Sequence, residues 1–150
     1  MKDSTGHDIA DALGLLLRRS TRARLYTRLT QGLGEAVDDL TYPLLSGLAR
    51  TGPCSAAELG RDIGLDRTIV TRRADRLEQA GLLQRQPSPA DGRATLLALT
   101  GDGHAVITAT RQRLAASIQD SLATWPPGDA QAFAHLLRRF VDHGPFTTGT

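Results

Sequence analysis

One run near the middle of the chain constrains the fold more than any other, because signals that start and stop helices alternate there over a short distance. Ser55 and Glu58 have the spacing of a capping box: the Ser55 hydroxyl accepts from the Glu58 N–H, and the Glu58 carboxylate reaches back to the Ser55 N–H. Gly64 ends this helix, and Asp66 is placed to cap a second helix over about 67–80. Two helices joined by so short a turn predict a helix-turn-helix.

The segment after this pair predicts strands instead of another helix. Residues 82–86 and 94–99 are two short strand candidates, and residues 87–92 between them are rich in Pro, Ser, Asp and Gly, which favour turns. Gly81 separates the expected hairpin from the second helix. A hairpin directly after a helix-turn-helix is the wing of a winged helix.

Helical patterns flank this lobe on both sides. They cover residues 8–31, 41–50, 101–124 and 129–142. Thr41, Thr100 and Asp129 are expected to cap the last three of these helices. The expected fold is therefore mainly α with a small β-hairpin wing (α+β), as a winged helix-turn-helix in a single domain over residues 1–150.

The bulk composition excludes several classes of protein. The 150 residues include 17 Arg, one Lys, 13 Asp and 3 Glu, so the net charge of +2 does not decide whether a partner is polyanionic. Cys54 is the single cysteine, which excludes an internal disulfide and a multi-cysteine zinc site. The four histidines show no paired spacing, so we expect neither a metal nor another cofactor.

Targeting signals and catalytic motifs are also lacking in the sequence. It has no apolar run of about 20 residues and no basic, cleavable start, so we expect a cytoplasmic protein without membrane contact. It has no phosphate-binding glycine loop, zinc-protease motif or hydrolase serine motif, so we expect no enzymatic activity.

The second helix of the pair has the side chains of a DNA-reading helix. At 100° per residue, Val70, Ala74 and Leu77 share one edge that is expected to pack inward, and Ile69 flanks the opposite side, where it can meet a thymine methyl. The candidate DNA-binding residues of this helix are Arg67, Thr68, Thr71, Arg72, Arg73 and Arg76. Hydroxyls and guanidiniums bind phosphates and base edges, whereas the alternative is a solvated face with weak ion pairs. Because this helix directly precedes a wing, DNA binding is favoured over a solvated face.

The wing adds three candidates. Arg93 follows the turn Asp91-Gly92 and is placed to enter a narrow minor groove, where the negative potential is greatest. Asp91 is expected to cap this turn or to orient an arginine by an ion pair. Arg85, on the first strand, either faces phosphate or pairs with a carboxylate. Asp91 and Arg85 are thus predicted to organise the wing.

At this point the residues resemble the MarR family of bacterial winged-helix regulators. The shared pattern, in order and spacing, is Ser55-Ala56-Ala57-Glu58-Leu59, Gly64-Leu65, Ile69-Val70-Thr71-Arg72, Asp75-Arg76-Leu77-Glu78, Gly81-Leu82-Leu83, Arg85, Asp91-Gly92-Arg93 and Leu99-Thr100 with Gly103. Ile69 and Arg73 depart from it, because the family usually has a small hydroxyl residue and an apolar residue there. The match is specific over about 55–103.

The resemblance implies an architecture and a partner. It implies a homodimer joined through helices at 8–31 and 101–143, and a DNA-binding lobe at 41–100. It further implies that Arg72, Arg76 and Arg93 face DNA or organise the wing and that Asp91 pairs with an arginine. The partners would be double-stranded DNA and a second copy of the chain.

The resemblance also implies a small effector, often a phenolic or a carboxylate, between the dimer helices and the lobe. The candidate pocket residues are Arg18, Arg22, Tyr26, Tyr42 and His104. For each of these, a place in the dimer interface, the core or a solvated face is an equal alternative. Cys54 is placed in a loop, where a structural thiol is favoured over an oxidation switch.

The leading hypothesis is a ligand-responsive dimeric repressor. It would bind a pseudo-palindromic operator with helix 67–80 in the major groove and the 87–93 wing in the minor groove, at half-sites about 34–36 Å apart. Two alternatives remain open at this point. One is a winged-helix protein–protein interaction module without DNA binding, and the other is a regulator with a Cys54-dependent redox switch.

Overall fold

The computed structural model describes residues 4–147, which form seven helices and one two-stranded antiparallel sheet. The helices are α1 (Ser4–Leu16), α2 (Arg19–Thr30), α3 (Tyr42–Thr51), α4 (Ala56–Ile63), α5 (Arg67–Gln79), α6 (Gly101–Leu122) and α7 (Asp129–His143). The strands are β1 (Leu83–Pro87) and β2 (Thr95–Leu99), which pair with Leu83 opposite Leu99. The predicted mainly α fold with a hairpin wing is confirmed.

The two helices α4 and α5 form the predicted helix-turn-helix. The Ser55 Oγ accepts from the Glu58 N–H at 3.1 Å, and the Asp66 Oδ1 accepts from the Ile69 N–H at 2.9 Å. Glu58 differs from the capping-box prediction, because its carboxylate accepts from the Ser55 hydroxyl and not from the Ser55 backbone. Gly64 ends α4 at φ +74°, a left-handed conformation that favours glycine.

The core of the lobe lies between α3, α4, α5, the hairpin and the start of α6. Its buried apolar residues include Leu44, Leu45, Leu48, Leu59, Val70, Ala74, Leu77, Leu83, Leu97, Leu99 and Ile107. The predicted inward edge of α5 is therefore confirmed. Cys54 joins the sheet, since its backbone N–H and C=O both pair with Leu97.

The junction of the hairpin and α6 depends on two small residues. The Thr100 Oγ1 accepts from the Gly103 N–H at 3.1 Å, so the predicted Thr100 cap is confirmed. A Cβ at Gly103 would overlap the Leu82 carbonyl oxygen. Only glycine lets the first turn of α6 lie this close to the chain that enters β1.

The predicted helix over 8–31 is wrong as a single element. Arg18 has an extended backbone, with φ −57° and ψ 135°, and this separates α1 from α2. The Leu17 N–H still donates to Leu13 in α1, and the Arg22 N–H donates to the Arg18 carbonyl that opens α2. No Gly or Pro marks the break, so the apolar periodicity runs through it without a signal.

Two of the expected caps also differ. Thr41 precedes α3 as predicted, but its side chain makes no cap bond; its hydroxyl donates to the Ala36 carbonyl. Asp129 is the first residue of α7 and not its cap, because Gly128, at φ +86°, takes the N-cap position without a side chain. A carboxylate in this first turn is still favourable to the helix dipole.

The chain divides after Gln112 into two compact units. The second unit holds the remainder of α6 and all of α7, with the rings of Trp125 and Phe133 5.3 Å apart. No residue of α7 is buried. The prediction of a single domain stays a prediction. Within residues 4–147, no helix has both the length and the apolar character that a bilayer span requires.

Candidate functional site

Four side chains form an exposed face on α5, which we call the contact face: Arg67, Thr68, Thr71 and Arg72. The Thr71 hydroxyl donates to the Arg67 carbonyl one turn earlier at 2.9 Å. Neither the Arg67 nor the Arg72 guanidinium makes a hydrogen bond or an ion pair with any described residue. Two full positive charges therefore stand beside two hydroxyls on the outer side of the helix.

Arg85 neutralises two carboxylates of α5 that would otherwise weaken the positive charge of the contact face. It donates to Asp75 at 2.8 Å and to Glu78 at 2.6 Å, so β1 is tied to α5 by two ion pairs. Of its two predicted roles, the structure shows pairing with carboxylates. Because both carboxylates are engaged by the wing, the basic character of α5 is not cancelled locally.

Arg73 and Arg76 lie differently from the prediction. The Arg73 Nη1 donates to the Leu40 carbonyl at 3.0 Å, and the Arg76 Nη2 donates to the Asp38 carboxylate at 2.9 Å. Both guanidiniums are thus held by the loop before α3, which the sequence does not reveal because the partners are more than 30 residues away. Both arginines therefore position α5 against the loop, and their role as DNA-binding residues stays a prediction.

The wing tip is ordered by its own backbone. The Ser88 N–H donates to the Ala94 carbonyl at 2.9 Å, and the Asp91 Oδ1 accepts from the Arg93 N–H at 3.1 Å. Of the two predicted roles of Asp91, it caps the turn; within residues 4–147 its carboxylate has no arginine ion pair, unlike what the resemblance implied. The Arg93 side chain is exposed at the tip.

A cavity of about 540 Å³ lies beside α5, a volume typical of small-molecule sites. Its wall comes from α2, the loop before α3, α3 itself, the α4–α5 turn and α5. Tyr26 and Tyr42 contribute tilted rings whose centroids are 4.7 Å apart. The described lining residues include one carboxylate, that of Asp39, and four guanidiniums, those of Arg19, Arg22, Arg50 and Arg73. Arg50 is paired with Asp62, so the other three guanidiniums have no carboxylate partner among the described residues. This charge balance favours an anion.

Three of the five predicted pocket residues line this cavity, and its role as an effector pocket stays a prediction. Arg22, Tyr26 and Tyr42 line the cavity, whereas Arg18 and His104 do not. Arg18 lies in the break between α1 and α2, and His104 is exposed in the first turn of α6. Arg19 takes the place expected for Arg18, because the extended residue 18 shifts the helical phase.

Several cavity residues were not foreseen from the sequence. Ile69 lines the wall, so both positions that depart from the family pattern, Ile69 and Arg73, belong to it. The thymine contact of Ile69 stays a prediction. Arg50 also lines the cavity and pairs with Asp62 of α4. Only the tertiary fold brings these residues together, so no local pattern could have found them.

The Asp38 carboxylate connects the loop before α3 to α5 by several hydrogen bonds. Burial raises the pKa of its carboxyl, but hydrogen bonds from Arg76, Thr41 and Leu40 and the charge of Arg76 outweigh burial, so the pKa lies below its ordinary value. The N–H groups of Leu40 and Thr41 donate to its Oδ1 at 2.9 and 3.0 Å. The carboxylate thereby fixes the loop and Arg76 at once.

An Asp38→Asn protein is expected to be less stable than wild type at pH 7 by about 1 kcal/mol, because the amide keeps an acceptor for the loop but loses the charge beside Arg76. The folded pKa is lowered, so this contribution is complete above the unfolded value near 3.8 and is lost as the pH falls through the folded value. Urea unfolding at one fixed protein concentration should give a constant difference from pH 7 to about 5. A difference that persisted undiminished at pH 2 would contradict this assignment.

Cys54 has the surroundings of a structural thiol. It is buried, and its sulfur lies 3.6 Å from the Thr51 hydroxyl. Burial raises the pKa of the thiol, and the charges of Glu58 and Asp62 add to this, while the Thr51 hydrogen bond opposes it. Since the thiolate is the reactive form, oxidation is disfavoured. No group of three or more His, Cys, Asp or Glu within residues 4–147 is arranged to hold a metal ion.

Peroxide is therefore expected to affect DNA binding equally in wild type and in a Cys54→Ser protein. The native thiol should also react with a disulfide reagent roughly a hundredfold more slowly than the urea-unfolded chain, because burial and a raised pKa both suppress attack. Gel-shift titrations before and after peroxide, with the thiol titrated in parallel, measure both effects. If peroxide abolished DNA binding in wild type but not in Cys54→Ser, the result would support the alternative of a Cys54-dependent redox switch.

Comparisons with known proteins agree on one family. A family model described as the MarR family matches residues 41–95. The transcriptional repressor NicR of Pseudomonas putida is 26% identical over 140 residues, which cover 93% of this chain and 89% of NicR. The multiple antibiotic resistance protein MarR of Salmonella typhimurium is 31% identical over 101 residues, 67% of this chain and 70% of that protein. The crystal structure of the PcaV transcriptional regulator from Streptomyces coelicolor with its natural ligand matches at TM-score 0.54 and 28% identity, over 86% of this chain and 95% of PcaV.

Proposed function

The chain belongs to the MarR family of transcription regulators, and from this membership we propose that it is a homodimeric repressor that a small anionic ligand releases from its operator. Its relatives are transcription regulators and not enzymes. The observation that carries the proposal is the contact face of α5, where two guanidiniums are unpaired while the neighbouring carboxylates are engaged.

The contact face would lie in the major groove of the operator. Arginine donates two hydrogen bonds to guanine O6 and N7 or to phosphate, and threonine pairs with either base edges or phosphate. Arg85 holds the wing against α5, so the wing tip at 87–93 keeps a fixed relation to the helix. Arg93 at that tip has the charge and exposure to enter the minor groove.

Dimerisation would cover apolar side chains that a single chain leaves exposed. On α7, Phe133, Leu136, Leu137 and Val141 are spaced one helical turn apart and are 44–55% exposed. On α1 and in α6, Ile9, Leu16 and Ile118 are likewise 44–63% exposed. Apolar stripes of this kind mark association surfaces. We therefore assign 8–31 and 101–143 to the dimer and 41–100 to DNA.

Two observations support repression under ligand control. NicR is a transcriptional repressor, and PcaV has been crystallised with its natural ligand. The cavity beside α5 pairs two tyrosine rings with an excess of guanidiniums, which is the chemistry that binds an aromatic carboxylate. Because the same cavity is lined by Ile69 and Arg73 of α5, a ligand there contacts the helix that would read DNA.

A salt series with the DNA upstream of the protein's own gene tests the proposal. Binding through several phosphates releases counterions, so the logarithm of affinity should fall linearly with the logarithm of salt concentration, with a slope of about −0.9 for each phosphate neutralised. Binding that is absent, or that does not respond to salt, would contradict the proposal. Retention of a protein partner without DNA would then favour the protein–protein module.

A further inference from the structure

Two arginines of α5 and two residues of the preceding loop form a closed set of contacts, which we call the clasp: Arg73, Arg76, Asp38 and Leu40. Arg73 donates to the Leu40 carbonyl, and Arg76 donates to the Asp38 carboxylate. The Leu40 N–H donates to the same carboxylate at 2.9 Å, so the four residues form one connected set of hydrogen bonds. Residues three apart share one helix face, so the loop is fixed to α5 at two neighbouring points.

The cavity touches only one half of the clasp. Arg73 and Leu40 both line its wall, whereas Arg76 and Asp38 do not. Asp38 is already saturated, since it accepts from two backbone N–H groups and from Arg76. Arg73 meets a neutral carbonyl at 3.0 Å, which makes it the weaker of the two links.

We propose that Arg73 is the positioning residue through which an aromatic carboxylate in the cavity acts on α5, the helix proposed to read DNA. A carboxylate binds guanidinium more strongly than a carbonyl does, because the contact is charge-assisted and can be bidentate. The ligand takes the Arg73 guanidinium from Leu40, and of the two arginine links between the loop and α5 only that of Arg76 then remains. This inference rests on the proposed function for its biological meaning, but its contacts do not depend on DNA.

The Arg73 link is tested by hydrogen exchange on the DNA-free protein at the N–H groups of Leu40 and Thr41. An Arg73→Gln protein should exchange these amides roughly 5-fold faster or more, the lower end of usual coupling effects. Arg72→Gln is the matched control, because it loses the same charge on the adjacent residue without a loop contact, and it should exchange as wild type. Arg73→Lys keeps the positive charge and places its donor at the end of a long side chain, both of which Gln lacks, and should restore slow exchange. Failure of this rescue would assign the effect to lost packing and overturn the inference.

The ligand step uses benzoate as the probe, with uncharged benzamide as its matched control. Benzoate should accelerate exchange of the same two amides in wild type, benzamide should not, and Arg73→Gln should show no further response to benzoate. Unchanged or slower exchange in wild type with benzoate would overturn the inference. If wild type failed to bind DNA in the salt series, the proposed function alone would fall, because every measurement here is made without DNA.

Discussion

An Arg72→Ala protein is expected to bind its operator roughly 5- to 150-fold more weakly than wild type, a loss of about 1–3 kcal/mol. Arg72 is exposed at the centre of the contact face and has no partner among the described residues, so its guanidinium is free to bind DNA without breaking an existing contact. The measurement is fluorescence anisotropy with the upstream DNA at several salt concentrations. If Arg72 binds phosphate, the salt slope should also fall by about 1.

The control for this substitution is Arg111→Ala. Arg111 is an exposed arginine of α6, outside the lobe assigned to DNA, and its removal changes the net charge by the same amount. Because α6 belongs to the segment assigned to the dimer, sedimentation velocity first checks that this variant is as dimeric as wild type. Its affinity should stay within about twofold of wild type, as is usual for surface changes away from a site. Equal losses in the two variants would mean that net charge and not the contact face governs binding.

A Leu136→Glu protein is expected to be monomeric at concentrations where wild type is a dimer. Leu136 is 55% exposed on the apolar stripe of α7, and the dimer would bury it twice. Loss of about 0.8–1.7 kcal/mol of apolar burial at each copy raises the dimer dissociation constant by roughly one to two orders of magnitude, and the burial of a carboxylate in its place adds to this. Sedimentation velocity over a concentration series measures this shift.

The companion variant is Leu136→Met, which keeps an apolar side chain of similar volume. It should remain dimeric with a dissociation constant within about 15-fold of wild type, because a full exchange costs less than about 1.5 kcal/mol and the dimer would bury only the exposed 55% of the side chain in each of its two copies. The Leu136→Glu protein should also lose operator affinity, because a single α5 reads only one half-site. A Leu136→Glu protein that remained fully dimeric would place the dimer contact elsewhere.

Local signals predicted the structure of the winged-helix lobe well. The Ser55 hydroxyl and the Asp66 carboxylate each accept from the N–H three residues later, as their spacing indicated. Val70 and Leu77 are fully buried, because the periodicity of an amphipathic helix follows from its geometry. Caps and apolar stripes are properties of short segments, so the sequence alone contains them.

Long-range contacts of the same helix were not predictable. Arg73 and Arg76 have the same local pattern as Arg72, yet they are held by Leu40 and Asp38, which lie 33 and 38 residues away. The charge of a side chain gives its possible partners and not its actual one, because the fold decides which carbonyl or carboxylate comes within reach. The break at Arg18 was not predictable either. A single extended residue leaves the spacing of the apolar residues on both sides consistent with one continuous helix.

Hydroxyl-radical footprinting of the upstream DNA with the wild-type protein tests the central claim most directly, namely that a dimer places two copies of α5 in successive major grooves. We predict two protected patches on one face of the duplex, with centres about 10–10.5 base pairs, or 34–36 Å, apart. The Arg72→Ala protein should protect the same two patches only at concentrations roughly 5- to 150-fold higher than wild type requires. A single patch, or protection without a defined spacing, would contradict the account.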